Sequence, residues 1–366
     1  MTSGDTAVAA PWPTVTPVPA TMRAVTFQQF GGPEVLRLET VPTPRYGPTE
    51  VLIRIGAVSV GRVLDLAARS GRHPYAQFTF PHILGAEHAG VVAGVGEDVA
   101  GIAVGDHVAT FPLLTDPDCP MVRAGYEELS PSARIIGTHL PGAYADYIAV
   151  PASNVFGVPD DVTPVDAVAV ALAGVVAMNQ LTRAGFVSGQ RVLIQGATSA
   201  LGSTTALLAR HLGAQVVVTS RLEPKRARLR ELGFEAVLDS VSPTLADDVR
   251  AQFGGAGADI VIDNLGDAQL WEKGMAALAP GGAIVSSGAF LGRTVQVDLQ
   301  RLYTFGHRVI GVRTGNMAAA ARLWTEVGGG FRGVVDRTFS LADATHAHEY
   351  VESSDSIGRV ALHALP

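Results

Sequence analysis

The chain has 366 residues, with 34 acidic and 27 basic side chains and a formal net charge of −7. That length exceeds what one hydrophobic core serves and suits two domains. The acidic balance argues against a nucleic-acid partner, because phosphate binding needs a basic face. A single cysteine, Cys119, excludes an intrachain disulfide and a cysteine-built zinc cage, and it suits a reducing, cytoplasmic setting.

The first 21 residues contain Pro11, Pro13, Pro17 and Pro19 and no Lys or Arg. They lack the charged and apolar blocks of a signal peptide and are expected to form a disordered or extended tail. From 22 to 170 the chain runs in short, strand-like pieces between Gly and Pro breaks. "MRAVTF", "EVLIRIGAV", "GVVAGVG" and "GDHVATF" predict an irregular, largely β domain. The apolar run "VAVALAGVVAM" is too short to cross a bilayer and is expected to be a buried helix, so no membrane partner is implied. Over 171–312 the rhythm changes. The strands "QRVLIQGA", "AQVVVTS", "ADIVIDNLG" and "GGAIVSSGA" alternate with helices such as "STTALLARHLG" and "EPKRARLRELG". Such alternation predicts an α/β domain with a doubly wound parallel sheet. Residues 313–366 bring a helix, "AAAARLWTEV", and a last strand, "GRVALHAL", expected to complete the first domain.

The turn "IQGATSALGS" follows a strand and opens a helix, the context that gives a glycine motif meaning. Gly196 permits the tight turn and Gly202 lets the helix approach the sheet. Thr198, Ser199, Ala200 and Leu201 are the candidate pyrophosphate residues, with the Ala200 and Leu201 amides at a helix N-terminus. Ser199 replaces the usual middle glycine and is small enough to fit, with a hydroxyl that could reach phosphate. The plainer reading is a turn that needs glycine only for packing. At the end of the second strand stand Ser220 and Arg221, with Lys225 a helical turn on, and no carboxylate to repel a 2′-phosphate. A guanidinium there can grip that phosphate, so the expected cofactor is NADPH. Otherwise Arg221 is simply a surface arginine.

"LGAEHAGVVAGVGEDVAGIAVGDHV", "GAYADYIAVP", the nucleotide turn, "LAPGG" and "TFSLADATHAHEYVESSDSIGRVAL" together resemble the medium-chain dehydrogenase/reductase superfamily, from about Met22 onwards. The resemblance implies a GroES-like, mostly β catalytic domain, a Rossmann domain, a cleft between them and hydride transfer from a nicotinamide. Asn264 and the "SSGAF" segment, with Gly288, Ala289 and Phe290, would line its ribose and nicotinamide. Zinc-bearing members place a Cys three residues before an Asp, and a His before a Glu. Here those positions hold Arg62 before Asp65, and Ala86 before Glu87, and "VAVALAGVVAM" supplies no third ligand. A catalytic zinc needs about three protein ligands. The family's four-cysteine lobe survives as "DPDCPMVRAGYEELS", whose ligand positions are Asp116, Cys119, Val122 and Ser130. His73, His82, His88, His107 and His139 show no metal-ligand spacing. No metal is expected.

Two roles stand open for Arg62. It could replace the Lewis acid and stabilise charge growing on a substrate oxygen, or it could pair with Glu87 or Asp65. The resemblance offers Glu87 a rival partner in Arg359. His73 falls where relatives often carry a substrate-facing Tyr and could donate a proton, although a surface-loop position is the plainer expectation. Tyr75 is a weaker candidate. Val176 replaces a Thr that many relatives place beside the nicotinamide. The resulting expectation is a zinc-independent quinone or enone reductase acting on a small molecule. A metal-free carbonyl reductase and a non-catalytic NADPH-binding protein remain as alternatives. A homodimer through the Rossmann edge near "VQVDLQRLY" and "HRVIGV" is the family's usual assembly.

Overall fold

In the computed structural model, which describes residues 11–73, 78–353 and 356–364, the chain divides into two units. Met1–Leu172 joins with Asn316–Pro366, and Ala173–Gly315 stands as the other. The boundaries thus fall two to three residues later than the sequence pattern placed them. The apolar run is not one helix: Pro164–Val170 ends the first segment and Ala173–Ala184 opens the second unit. Pro164–Ala184 as a whole is long and apolar enough to cross a membrane. However, 83% of its most apolar window is buried inside the protein, as in a core helix.

The spine of the first unit is the strand Glu50–Val60, whose β-branched, apolar residues are buried along most of its length. It pairs antiparallel with His88–Val95, Tyr147–Pro151 and the late strand Arg359–His363. The C-terminal segment therefore returns to this sheet, with Val335–Ser340 beside it. Gly90 has to be glycine, since a Cβ there would lie 2.1 Å from the Arg54 carbonyl oxygen. Between Val60 and Leu66 the chain turns into a short helix. Leu66 donates to Gly61 five residues back, which widens the turn to π geometry.

Of the two expectations for the tail, disorder is corrected from Pro11 onwards, where the chain is held in place without helix or strand up to Pro19. The Trp12 indole N–H donates to the Val162 carbonyl at 3.0 Å, and its ring stacks on His107 at 4.3 Å. Arg54 reaches the Thr16 hydroxyl at 3.0 Å, and Thr21 already lies in a strand. An aromatic anchor holds proline-rich chain that composition alone reads as unstructured.

The second unit is a six-stranded parallel sheet. Its spatial order is Ala236–Asp239, Gln215–Ser220, Arg191–Gln195, Ala258–Asp263, Leu278–Ser286, Arg308–Gly311. Sequence order reverses on either side of Arg191–Gln195, which opens a crevice at the carboxyl ends of the strands, the place where sheets of this kind bind ligands. Val192, Leu193, Ile194, Val217, Val218, Ile260, Val261 and Ile262 are all buried, as a sheet covered on both faces requires. Arg308–Gly311 is an edge strand, and Val309, Leu299 and Tyr303 nearby are exposed.

Candidate active site

The glycine turn folds as its residues dictate. Gly196 has φ +70°, in the left-handed region. A Cβ at Gly202 would come within 2.2 Å of the Gly196 carbonyl oxygen. Helix Ala200–His211 therefore starts hard against the end of strand Arg191–Gln195. Ser199 is its N-cap: the hydroxyl accepts from the Gly202 amide and donates to the Gly196 carbonyl, both at 3.0 Å. That side chain is thus spent on the turn, while the Ala200 and Leu201 amides stand in the first turn of the helix. The cradle fits a pyrophosphate.

Ser220 ends its strand buried, Arg221 projects into solvent, and Lys225 is half-buried in the first turn of helix Glu223–Glu231. One basic residue escaped the sequence reading. Arg226 donates to the Ser220 carbonyl at 2.9 Å and pairs with Glu223 at 2.7 Å and Asp239 at 3.2 Å. It fixes the strand end that presents Arg221. No motif marks it, since it lies in a run of basic residues that reads as a solvated helix face.

Asn264 follows the strand Ala258–Asp263 directly. Asp263 is fully buried and accepts from the Leu265 and Gly266 amides; burial raises its carboxyl and the two amides oppose that. Gly288 sits so close that a Cβ would meet the Asn264 carbonyl oxygen at 2.5 Å. With Asp263, Gly266 and Ser286, Gly288 and Ala289 line a cavity of about 200 Å³. Ala289 and Phe290 are exposed. The strand-end candidates are thus gathered in the second unit.

In the first unit, Arg62 opens the π turn half-buried. Burial lowers its guanidinium, and the charge of Glu352 acts in the opposite sense. The two partners considered from the sequence each hold partners of their own. Glu87 pairs with Arg359 at 2.8 Å and also accepts from the Ser59 hydroxyl. Asp65 accepts the Gly61 and Gly85 amides at 2.7 and 3.0 Å. Burial lifts the Asp65 carboxyl to about 7, against the pull of those amides and of Arg359. Arg69, wholly buried, pairs with Glu352, which is 38% exposed. Tyr144 and His348, also wholly buried, share a hydrogen bond of 3.1 Å. Nothing in the sequence joined these residues, because they come from segments about 200 positions apart and only the fold brings them together.

His73 corrects the surface-loop expectation, since it is buried beside the Phe78 ring. Burial, reinforced by His139, lowers its imidazole to about 4, so it is neutral at neutral pH. Tyr75 lies outside the described residues. His82 is buried with Nε2 at 3.2 Å from the Gly137 carbonyl. His88 is fully buried with Nδ1 at 3.0 Å from the Ala86 carbonyl, and burial holds it at about 4.

The donor set does not fit the family's zinc. Arg62 is a cation, Ala86 has no donor atom, and Asp65 and Glu87 are committed to amides and to Arg359. No group of three or more His, Cys, Asp or Glu that could hold a metal occurs among the described residues. In the lobe, the Ser130 hydroxyl is hydrogen-bonded to the Cys119 thiol and, with the Met121 and Val122 amides, lowers it. Two of the four former ligand positions therefore still meet, as a thiol and a hydroxyl.

Two family models match the chain. The alcohol dehydrogenase GroES-like domain covers residues 47–160, and the zinc-binding dehydrogenase domain covers 200–327. The chain is 30% identical over 258 residues to L-galactonate-5-dehydrogenase of Escherichia coli, covering 70% of this chain and 74% of that protein. The chain belongs to the medium-chain dehydrogenase/reductase superfamily. Members of more than one chemistry resemble it. One is the 2-methylene-furan-3-one reductase of Solanum lycopersicum, 27% identical across 100% of this chain and 85% of that one. Another is a mycobacterial quinone oxidoreductase, superposing with a TM-score of 0.77 at 29% identity and covering 93% and 99% of the two chains. The chain is accordingly an oxidoreductase that uses a nicotinamide cofactor on a small-molecule substrate.

Proposed function

We propose that this superfamily member is a zinc-independent, NADPH-dependent reductase that passes hydride to a quinone or to the β-carbon of an α,β-unsaturated carbonyl. The observation that carries this reading is the contrast between its sites. The nucleotide turn keeps the close contacts of Gly196 and Gly202, with Ser199 capping the helix in place of the middle glycine, while the metal positions hold an arginine and an alanine. NADPH, when bound, supplies the hydride. The Ala200 and Leu201 amides hold the pyrophosphate, Arg221 with Ser220 and Lys225 holds the 2′-phosphate, and Asn264, Gly288, Ala289 and Phe290 border the nicotinamide half. Arg62 steadies negative charge on the substrate oxygen as hydride adds. His73, neutral at working pH, serves as a hydrogen-bond donor to that oxygen rather than as an imidazolium acid. A conjugated acceptor suits this set, because hydride addition leaves an enolate or quinolate oxygen that a fixed donor can hold, and the proton that completes the reduction comes from solvent.

Following NADPH absorbance with an enone, a quinone and a simple ketone tests the reading. Turnover of the first two supports it. Turnover of the ketone alone would make the protein a metal-free carbonyl reductase, and silence with all three would make it a dinucleotide-binding protein. Dialysed protein should carry no stoichiometric zinc and should keep its activity and melting temperature in chelator; about one zinc per chain by elemental analysis would end this proposal. Arg221→Ala should weaken NADPH by about tenfold to a hundredfold, the worth of a charge-assisted contact, and leave NADH nearly unchanged. Equal losses for both cofactors would make Arg221 structural. We also propose a homodimer joined at the Arg308–Gly311 edge, where Val309 and Tyr303 stand exposed.

A further inference from the structure

The helix Ala173–Ala184 packs on helix Ala200–His211 and on strand Leu278–Ser286, and its inward face is apolar except at two places. One of them, Gln180, is wholly buried. A carboxamide is costly to bury unless its atoms are hydrogen-bonded, and here both ends are used. The Thr205 hydroxyl, also wholly buried, donates to Gln180 Oε1 at 2.9 Å. Gln180 Nε2 in turn donates to Asn264 Oδ1 at 2.7 Å. The three side chains form a ladder that runs from inside the helix pair to the carboxyl end of strand Ala258–Asp263. Its last rung is unfinished: Asn264 Nδ2 is buried and has no hydrogen-bond partner among the described residues.

The ladder has a direction, and Gln180 sets it. Thr205 Oγ1 also lies 2.9 Å from the Leu201 carbonyl, and one hydroxyl proton cannot serve both acceptors. Were it given to Leu201, Gln180 would have to turn its amide nitrogen toward Thr205. Asn264 would then donate to Gln180 and offer its carbonyl oxygen at the strand end. In the direction the structure adopts, Asn264 offers N–H.

We propose that Gln180, held by Thr205, is a positioning residue that fixes the carboxamide of Asn264 as a hydrogen-bond donor to an oxygen of the bound nicotinamide dinucleotide. This rests on the dinucleotide lying at these strand ends. Neither Gln180 nor Thr205 touches the ligand, and the effect passes through Asn264.

Fluorescence titration with NADH tests the ladder away from the 2′-phosphate and its own titration. Gln180→Leu and Asn264→Leu should each weaken NADH about tenfold. The double variant should be no weaker than the weaker single one, because the two residues act as one unit. Gln180→Glu gives a readout that a merely structural role would not move. A protonated carboxyl accepts from Thr205 and donates to Asn264, preserving the direction. An ionised one only accepts and forces Asn264 to reverse. Burial raises such a carboxyl, so the Gln180→Glu variant should bind NADH as the wild type does at low pH. It should lose about tenfold as pH rises, a transition absent from the wild type. Unchanged affinity in Gln180→Leu, additive losses in the double variant, or a flat pH profile for Gln180→Glu would overturn the proposal. If Gln180→Leu does not fold, the Gln180→Glu profile decides alone. A wild-type chain that bound neither NADH nor NADPH would instead remove the dinucleotide site itself, and the ladder's role with it.

Discussion

Arg62→Ala should slow hydride transfer by about two to three decades, the usual cost of removing one donor that stabilises a developing oxyanion. The expectation follows from what the structure does with the other charges. Asp65 and Glu87, the carboxylates that could have absorbed Arg62, are held by backbone amides and by Arg359. The charge of Glu352, which is 38% exposed and pairs with the buried Arg69, acts on Arg62. Arg62 is only half-buried, so if its role is catalytic the melting temperature and cofactor affinity should change little on its removal. Arg62→Lys keeps the charge and loses the planar fork, so an intermediate rate is expected. The measurement is single-turnover oxidation of NADPH on any accepted substrate. A rate for Arg62→Ala equal to the wild type would sink the catalytic role. A loss of several kcal/mol in stability would instead make Arg62 the structural ion-pair partner considered from the sequence.

The second unit was the most legible part of the chain, for a physical reason. A parallel sheet covered on both faces writes itself as apolar runs, and Gly196 and Gly202 mark places where a Cβ has no room. The first unit was legible mainly as a resemblance, because its strands are short and their partners lie far apart in sequence. Three readings failed for the same cause, tertiary contact overriding local composition. The proline-rich tail is held by Trp12 on His107. His73, in a polar loop sequence, is buried against Phe78. The apolar run that reads as one helix is divided between two units. The residues that tune the candidate site were beyond sequence pattern altogether. Gln180 sits in a helix whose apolar neighbours read as plain core, and Arg226 in a basic run that reads as solvated surface.

Arg359→Ala should destabilise the first unit by about 3–5 kcal/mol, because it removes the ion-pair partner of a carboxylate buried in the core. Glu87 is 3% exposed and Arg359 8%, so water cannot replace the lost partner. The Ser59 hydroxyl gives Glu87 a hydrogen bond but no charge. The loss should also depend on pH, through Asp65. Its carboxyl is raised from 3.8 to about 7 in the folded protein. Its stabilising contribution is therefore fully present below about 3.8 and is lost as pH rises through about 7. Arg359 is one of the groups pulling that value down. Without it, Asp65 climbs further, and the loss extends above pH 7. Chemical denaturation of the first unit's transition should thus show a larger gap between wild type and Arg359→Ala at pH 8.5 than at pH 5.5. The paired change Glu87→Leu with Arg359→Met should recover much of the stability, since a buried ion pair replaced by apolar groups of similar size is often close to neutral. A single-variant loss below about 1 kcal/mol, or a gap independent of pH, would mean that water reaches this cluster and that Asp65 is not held near 7 by burial.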